Sequence, residues 1–257
     1  MRRRRPVHRH GGGYRQGYPG VFLAYASEKG AAFIDRALYL PRAWTQDAER
    51  RTEAGIPEEV RFASKITLAE RMLARAFDAN VPARWVVADS GYGRSHAFRR
   101  WLEERGVSYA VMIPRTNAVE YQGQRLRAEQ LGERLAAVGR PAWACLALSG
   151  SSTEGIGRWL LVRYDANDPG EDAYWLAYGS GETSEAALIR VCDVRWQIEE
   201  GFAQAKGGVG LDHYEVRKRE AWHRFATLCL LAHAYLVVLR LDARREEIAE
   251  KGEPIPA

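Results

Sequence analysis

The chain has 257 residues, 46% of them hydrophobic, enough for one sizeable core or one core with a small insertion. Much of its formal net charge of +5 comes from Arg2, Arg3, Arg4, Arg5, Arg9 and Arg15, so the remainder is nearly neutral and global basicity is weak evidence for a polyanionic partner. The three cysteines, Cys145, Cys192 and Cys229, are far apart and form no CxxC pair, which argues against a disulfide framework or zinc knuckle and fits a reducing, cytoplasmic compartment.

Residues 1–20 combine the arginine run with His8, His10 and Gly11-Gly12-Gly13 and offer almost nothing to bury, so they read as a disordered basic leader. Such a leader is either merely solvated, the commoner fate of a charge run, or an arm that touches DNA. No apolar segment follows the arginines, so this is not a signal peptide. Residues 21–25 and 32–40 read as two strands of a hairpin turning at Ser27-Glu28-Lys29-Gly30, with Pro41 ending the second. Residues 45–55 are polar, turn-like or a short helix. Residues 66–79 place Leu68, Met72, Leu73 and Ala76 on one stripe and predict a helix. Residues 85–88 form a short buried strand ending at Asp89. Ser95 as N-cap and Gly106 as stop bound the next helix, and 109–113 is the next strand, ended by Pro114. This β–α–β run predicts parallel pairing with a right-handed crossover.

Residues 118–140 are polar and charged and carry no assignable pattern. Residues 143–148, 157–164 and 173–178 predict an antiparallel, β-rich insertion over 115–182, broken at Asp168-Pro169-Gly170. Residues 184–205 are helical, with Thr183 or Ser184 as N-cap. Gly207-Gly208-Val209-Gly210 lacks a preceding strand and reads as a helix stop rather than a phosphate loop. The apolar tract 225–239, fifteen residues between Arg224 and Arg240, is shorter than the about 20 residues a bilayer span needs. It is expected to be a buried core helix with no membrane partner, followed by a charged tail over 243–257.

Two segments carry chemistry. In Arg195-Trp-Gln-Ile-Glu-Glu-Gly-Phe-Ala-Gln-Ala-Lys206, residues Arg195, Glu199 and Lys206 stand at helical spacing and point the same way. One acid between two bases on a helix face suits a metal ion and a phosphate backbone held together. Asp89, in Trp85-Val-Val-Ala-Asp-Ser-Gly-Tyr-Gly93, stands where an apolar run meets a turn, and ligands gather at such strand ends in α/β sheets. Two carboxylates from distant elements, flanked by bases, suggest metal-assisted phosphoryl transfer on nucleic acid. Each has a plainer reading: Glu199 as a surface ion pair, Asp89 as a turn former. The spacing of His213, His223 and His233 does not suit metal binding. Trp196, Phe202 and Trp222 read as packing residues, and Cys192 as a buried small residue rather than a nucleophile.

These residues resemble those of bacterial insertion-sequence transposases of the DDE superfamily, whose signature near the last acid is Tyr-(2)-Arg-(3)-Glu-(6)-Lys. Arg195, Glu199 and Lys206 match it in spacing, and Cys192 stands at the tyrosine position. Asp35-Arg-Ala-Leu-Tyr-Leu-Pro41, Val87-Ala-Asp-Ser-Gly-Tyr-Gly93 and Gly210-Leu-Asp-His-Tyr-Glu-Val-Arg217 look like further segments of the same family, so the resemblance spans about residues 21–239. It implies an α/β, RNase H-like mixed sheet with flanking helices and the β-rich insertion. It implies Asp89 as the second acid and Glu199 as the third, holding Mg²⁺ (or Mn²⁺) together with a first Asp. Arg195 and Lys206 would hold DNA phosphates, with transposon ends and target DNA as partners.

In the family the first Asp lies on a first strand upstream of the hairpin. No such strand precedes residue 21, residues 1–20 hold no Asp or Glu, and Asp35 falls on a later strand. The chain is therefore expected to be an N-terminally truncated transposase lacking the first strand, with two strand edges facing a gap and little cleavage on its own. The alternative is a non-catalytic relic that binds DNA, forms a homodimer, or pairs with and interferes with an intact transposase. On this reading residues 21–114 are the first part of the catalytic domain, 115–182 the insertion and 183–242 its helical C-terminal part.

Overall fold

A computed structural model describes residues 20–27, 29–149 and 155–250. The leader over 1–19 lies outside the described residues. The chain opens with an antiparallel hairpin of β1 (Gly20–Ser27) and β2 (Gly30–Leu38), whose register shifts between Leu23 and Ala24. Two short helices, α1 (Arg42–Thr45) and α2 (Ala48–Glu53), follow. Next comes α3 (Lys65–Asp78), which starts where the Ser64 hydroxyl accepts from the Thr67 amide at 3.0 Å. Then come β3 (Trp85–Ala88), the single turn α4 (Ser90–Gly93), α5 (His96–Glu103) and β4 (Ser108–Ile113). β3 and β4 pair in parallel, as the β–α–β pattern requires.

The stretch over 118–140 holds the hairpin β5 (Ala118–Tyr121) and β6 (Gln124–Arg127), then α6 (Ala128–Val138). Strands β7 (Trp143–Ala147), β8 (Ile156–Arg163) and β9 (Ala173–Ser180) are antiparallel, as their alternation predicts. β9 pairs antiparallel with β4, giving one five-stranded mixed sheet in the order β3-β4-β9-β8-β7. The chain ends in two long helices, α7 (Glu185–Val209) and α8 (Arg219–Glu250). α7 runs through Gly207 and Gly208 and stops at Gly210, whose φ of 67° lies in the left-handed region that glycine tolerates.

Strand alternation builds a three-layer sandwich. Tyr109, Val111 and Ile113 of β4 point to one face, where they meet Phe98 and Leu102 of α5 and, through Leu160, Val162 and Tyr174, Leu131 of α6. Ala110 points to the other face, which Trp159, Leu161, Trp175 and Ala177 share with Leu188 and Cys192 of α7. The β1–β2 hairpin does not pair with this sheet. Between β1 and β3 lies an apolar cavity of about 100 Å³, lined by Leu23, Tyr25, Leu73, Val87, Val194 and Ile198. Among the described residues no strand occupies the second edge of β1 or of β3.

α8 corrects the expectation of a buried core helix. Trp222, Ala226, Cys229, Leu230 and His233 are buried, the last three in or beside the cluster around Phe33 of β2. Leu228, Leu231, Tyr235 and Val238 are exposed. The helix has 32 residues rather than the fifteen of the apolar tract, so it is long and apolar enough to cross a membrane by length and composition. Its packing against β2 is that of a protein core on one side.

Candidate functional site

Asp89 is held by its own sequence. It caps α4, with its Oδ1 accepting from the Gly91 amide at 2.7 Å. A Cβ on Gly91 would sit 2.9 Å from that same oxygen, so glycine there leaves the carboxylate its place. A Cβ on Gly93 would sit 1.9 Å from the Met112 carbonyl oxygen, so only glycine lets this turn lie against β4. Arg99 of α5, itself buried, donates to the Gly93 carbonyl, and Tyr92 packs on the Phe98 cluster. Burial, and secondarily the Asp89 charge, push the Tyr92 hydroxyl up to about 12. The two glycines and Arg99 thus fix a tight turn that presents an exposed Asp89 at the C-terminal end of β3.

α7 carries the other predicted residues. Its first half is anchored by buried Leu188 and Cys192. Burial raises the Cys192 thiol far above its ordinary range, which fits an inert packing residue. One turn on, Val194 and Ile198 line the cavity shared with Val86 and Val87 of β3. Arg195 and Glu199 follow them on the helix and form an ion pair, Nη1 to Oε1, of 2.7 Å. Lys206 is exposed two turns further on. Trp196 departs from its expected packing role: it is 65% exposed, on the residue after Arg195, whereas Trp222 is 1% exposed.

Asp89 and Glu199 alone do not fit a two-metal centre. Among the described residues no group of three His, Cys, Asp or Glu side chains comes together to hold a metal ion. Asp35 does not supply the third, because its Oδ2 accepts from both Nε and Nη2 of Arg75, at 3.1 and 2.7 Å.

The structure also gathers a feature that no spacing in the sequence announces. A cleft of about 450 Å³ is lined by Arg36, Arg61, Arg71, Arg75, Arg219 and His223, with Glu59 the acid among its lining residues. Arg36 comes from β2, Arg61 from a loop, Arg71 and Arg75 from α3 and Arg219 from the start of α8, so their convergence is a product of the fold. The Arg36 Nε is buried without a hydrogen-bond partner among the described residues. Burial, then the nearby Arg219 and Arg36 charges, push His223 down to about 4, opposed by Asp35.

The Tyr25 hydroxyl, near the end of β1, donates to the Pro82 carbonyl just before β3 at 3.3 Å. The end of β1 is therefore beside the start of β3, while the far end of β2 lines the cleft.

No curated protein matches the chain. Residues 3–144, more than half of its length, match the family described as DDE superfamily endonuclease, a span that takes in the hairpin, the Asp89 turn, β4 and α6. The five-stranded mixed sheet between helical layers is consistent with an α/β nuclease fold of that kind. On this match the chain belongs to the DDE superfamily endonuclease family.

Proposed function

We propose that this chain acts on DNA as an insertion-sequence transposase of RNase H-like fold, with Asp89 and Glu199 as two of its metal-binding acids and Arg195 and Lys206 as phosphate-holding bases. The observation that carries the reading is the seating of α7 on β3. Val194 and Ile198 share a cavity with Val86 and Val87, so the helix turn bearing Arg195 and Glu199 runs beside the strand that ends in Asp89. The sheet is completed, on this reading, by a further acid-bearing strand at the open edges of β1 and β3. With a further acid to complete the ligand set, Asp89 and Glu199 would hold Mg²⁺ or Mn²⁺, which would supply Lewis-acid chemistry at the phosphodiester. The protein's own part is to fix the Asp89 carboxylate in its glycine turn and to free Glu199 from Arg195 as that guanidinium moves onto a phosphate. The arginine cleft extends the DNA path away from the acids, and the exposed Trp196 offers a ring for an unstacked base. The protein works in the cytoplasm, where DNA is its partner.

A second reading, a non-catalytic chain that binds DNA or interferes with an intact transposase, is favoured by the absence, among the described residues, of any group of three side chains able to hold a metal ion. Nicking of supercoiled plasmid in Mn²⁺ separates the two. Under the first reading a chain extended with an acid-bearing strand before Gly20 nicks and its Glu199→Ala variant does not. If the extended chain binds duplex and stays inactive, the second reading holds.

A further inference from the structure

We infer that α8 is a self-association surface: two copies of this chain pair their α8 helices antiparallel about a two-fold axis at the height of residue 233. This inference does not depend on the nuclease reading.

The starting point is a helix apolar on opposite sides. One side, through Trp222, Ala226, Cys229, Leu230 and His233, packs into the core. At 100° per residue the opposite side carries Leu228, Leu231, Tyr235 and Val238, which are 66%, 66%, 62% and 52% exposed. Their offsets of three, four and three residues are those of alternating a and d positions in a coiled-coil seam. A helix that is apolar all round is ordinarily covered all round, and a contiguous exposed apolar stripe marks an interaction site.

The stripe is palindromic. Leu231 and Tyr235 lie two residues either side of position 233, Leu228 and Val238 five, and Arg224 and Asp242 nine, all on the same face. In an antiparallel pair each residue meets its mirror position on the other copy. Leu231 therefore meets Tyr235, Leu228 meets Val238, and at each end Arg224 meets Asp242 with opposite charge. A parallel pair would set Arg224 against Arg224 and Asp242 against Asp242. From Arg224 to Asp242 the seam is thus complementary to itself in one orientation, as an isologous two-fold interface must be, and beyond it Glu220 and Glu246, both exposed, face one another at the solvent ends. Ala232, exposed, and Ala234 flank the axis and let the helices approach closely. Arg224 now pairs with Glu220 at 2.5 Å and Asp242 with Arg245 at 3.5 Å, within the helix and in solvent. Such exposed pairs are weak and readily exchanged for partners across an interface.

Sedimentation velocity of the full chain tests this, with variants whose side chains lie outside the core. The wild type is expected to dimerise with concentration. Leu231→Glu with Tyr235→Glu should be monomeric at the same concentration, with unchanged circular dichroism. Arg224→Asp and Asp242→Arg should each weaken the dimer at least tenfold, and the two together should restore it, because the charges then complement one another again. A chain that stays monomeric throughout, or a dimer indifferent to these substitutions, overturns the proposal. So does flotation of the monomer with phosphatidylcholine vesicles that is lost in Leu231→Glu, which would assign the stripe to a lipid surface.

Discussion

The Glu199 carboxylate lies 2.7 Å from the Arg195 guanidinium, one turn apart on α7 and 46% exposed. An ion pair this open contributes at most about 1 kcal/mol. Glu199→Ala should therefore shift the thermal midpoint by no more than about 2–4 °C, the shift that 1 kcal/mol produces in a domain of this size. A functional acid can be lost at little structural cost, whereas a strut cannot. A substantially larger drop in a calorimetric scan would show that Glu199 holds α7 in place.

The two glycines after Asp89 should separate function from fold. Gly93→Ala drives a methyl group into the Met112 carbonyl, a backbone atom of β4 that cannot step aside. Overpacking of this kind costs about 1–3 kcal/mol or more, and urea titration should show it as a lower midpoint. In Gly91→Ala the methyl group meets only the Asp89 carboxylate, which can rotate. The urea midpoint should barely move, while whatever depends on the placement of Asp89 suffers. Equal stability losses in the two variants would contradict this account.

Much of the scaffold was legible because local chemistry and tertiary context agree there. The stripe of Leu68, Met72, Leu73 and Ala76 lies on α3, Ser95 caps α5, and the apolar run before Asp89 is a strand over the residues read as one. The hairpin Ala118–Tyr121/Gln124–Arg127 was not, because it is short and largely exposed and so shows no core-facing alternation. Nor was the sheet membership of β7, β8 and β9, since alternation fixes which face a side chain takes and not which strand lies alongside. Trp196 was misread because a large aromatic on an apolar helix is ordinarily packed. Of the site, Asp89, Arg195, Glu199 and Lys206 rest on motif spacing, whereas the arginine cleft draws on four separated segments and has no spacing to read.

His223 predicts a pH dependence of stability. In the unfolded chain it titrates at its ordinary 6.5, and in the folded chain at about 4, through burial and then the Arg219 and Arg36 charges, with Asp35 opposing. Between those values the unfolded state takes up a proton that the folded state refuses. The stabilisation is therefore complete above pH 6.5 and is lost as the pH falls toward 4. His233, also depressed by burial and Arg240, contributes with the same sign. The thermal midpoint should fall between pH 7 and pH 5, and fall less in His223→Gln. Parallel curves for the two proteins would mean that His223 titrates normally.

The cleft itself makes the remaining prediction. Arg61, Arg71 and Arg219 line it and form no ion pair among the described residues, so their charge is available to a ligand. A protein that neutralises phosphates releases counterions, and each contact contributes about −0.9 to the slope of log affinity against log salt for duplex DNA. Arg61→Ala with Arg71→Ala should reduce the magnitude of the slope by about 1.8, measured by fluorescence anisotropy on a random-sequence duplex. Binding should weaken alike for every sequence, since backbone contacts carry no base information. Duplex binding should also raise the titration midpoint of His223, because a phosphate beside it favours the imidazolium that Arg36 and Arg219 disfavour. That shift is readable from the imidazole proton resonances of bound and free protein. An unchanged slope with an unmoved His223 would place the DNA elsewhere on the molecule.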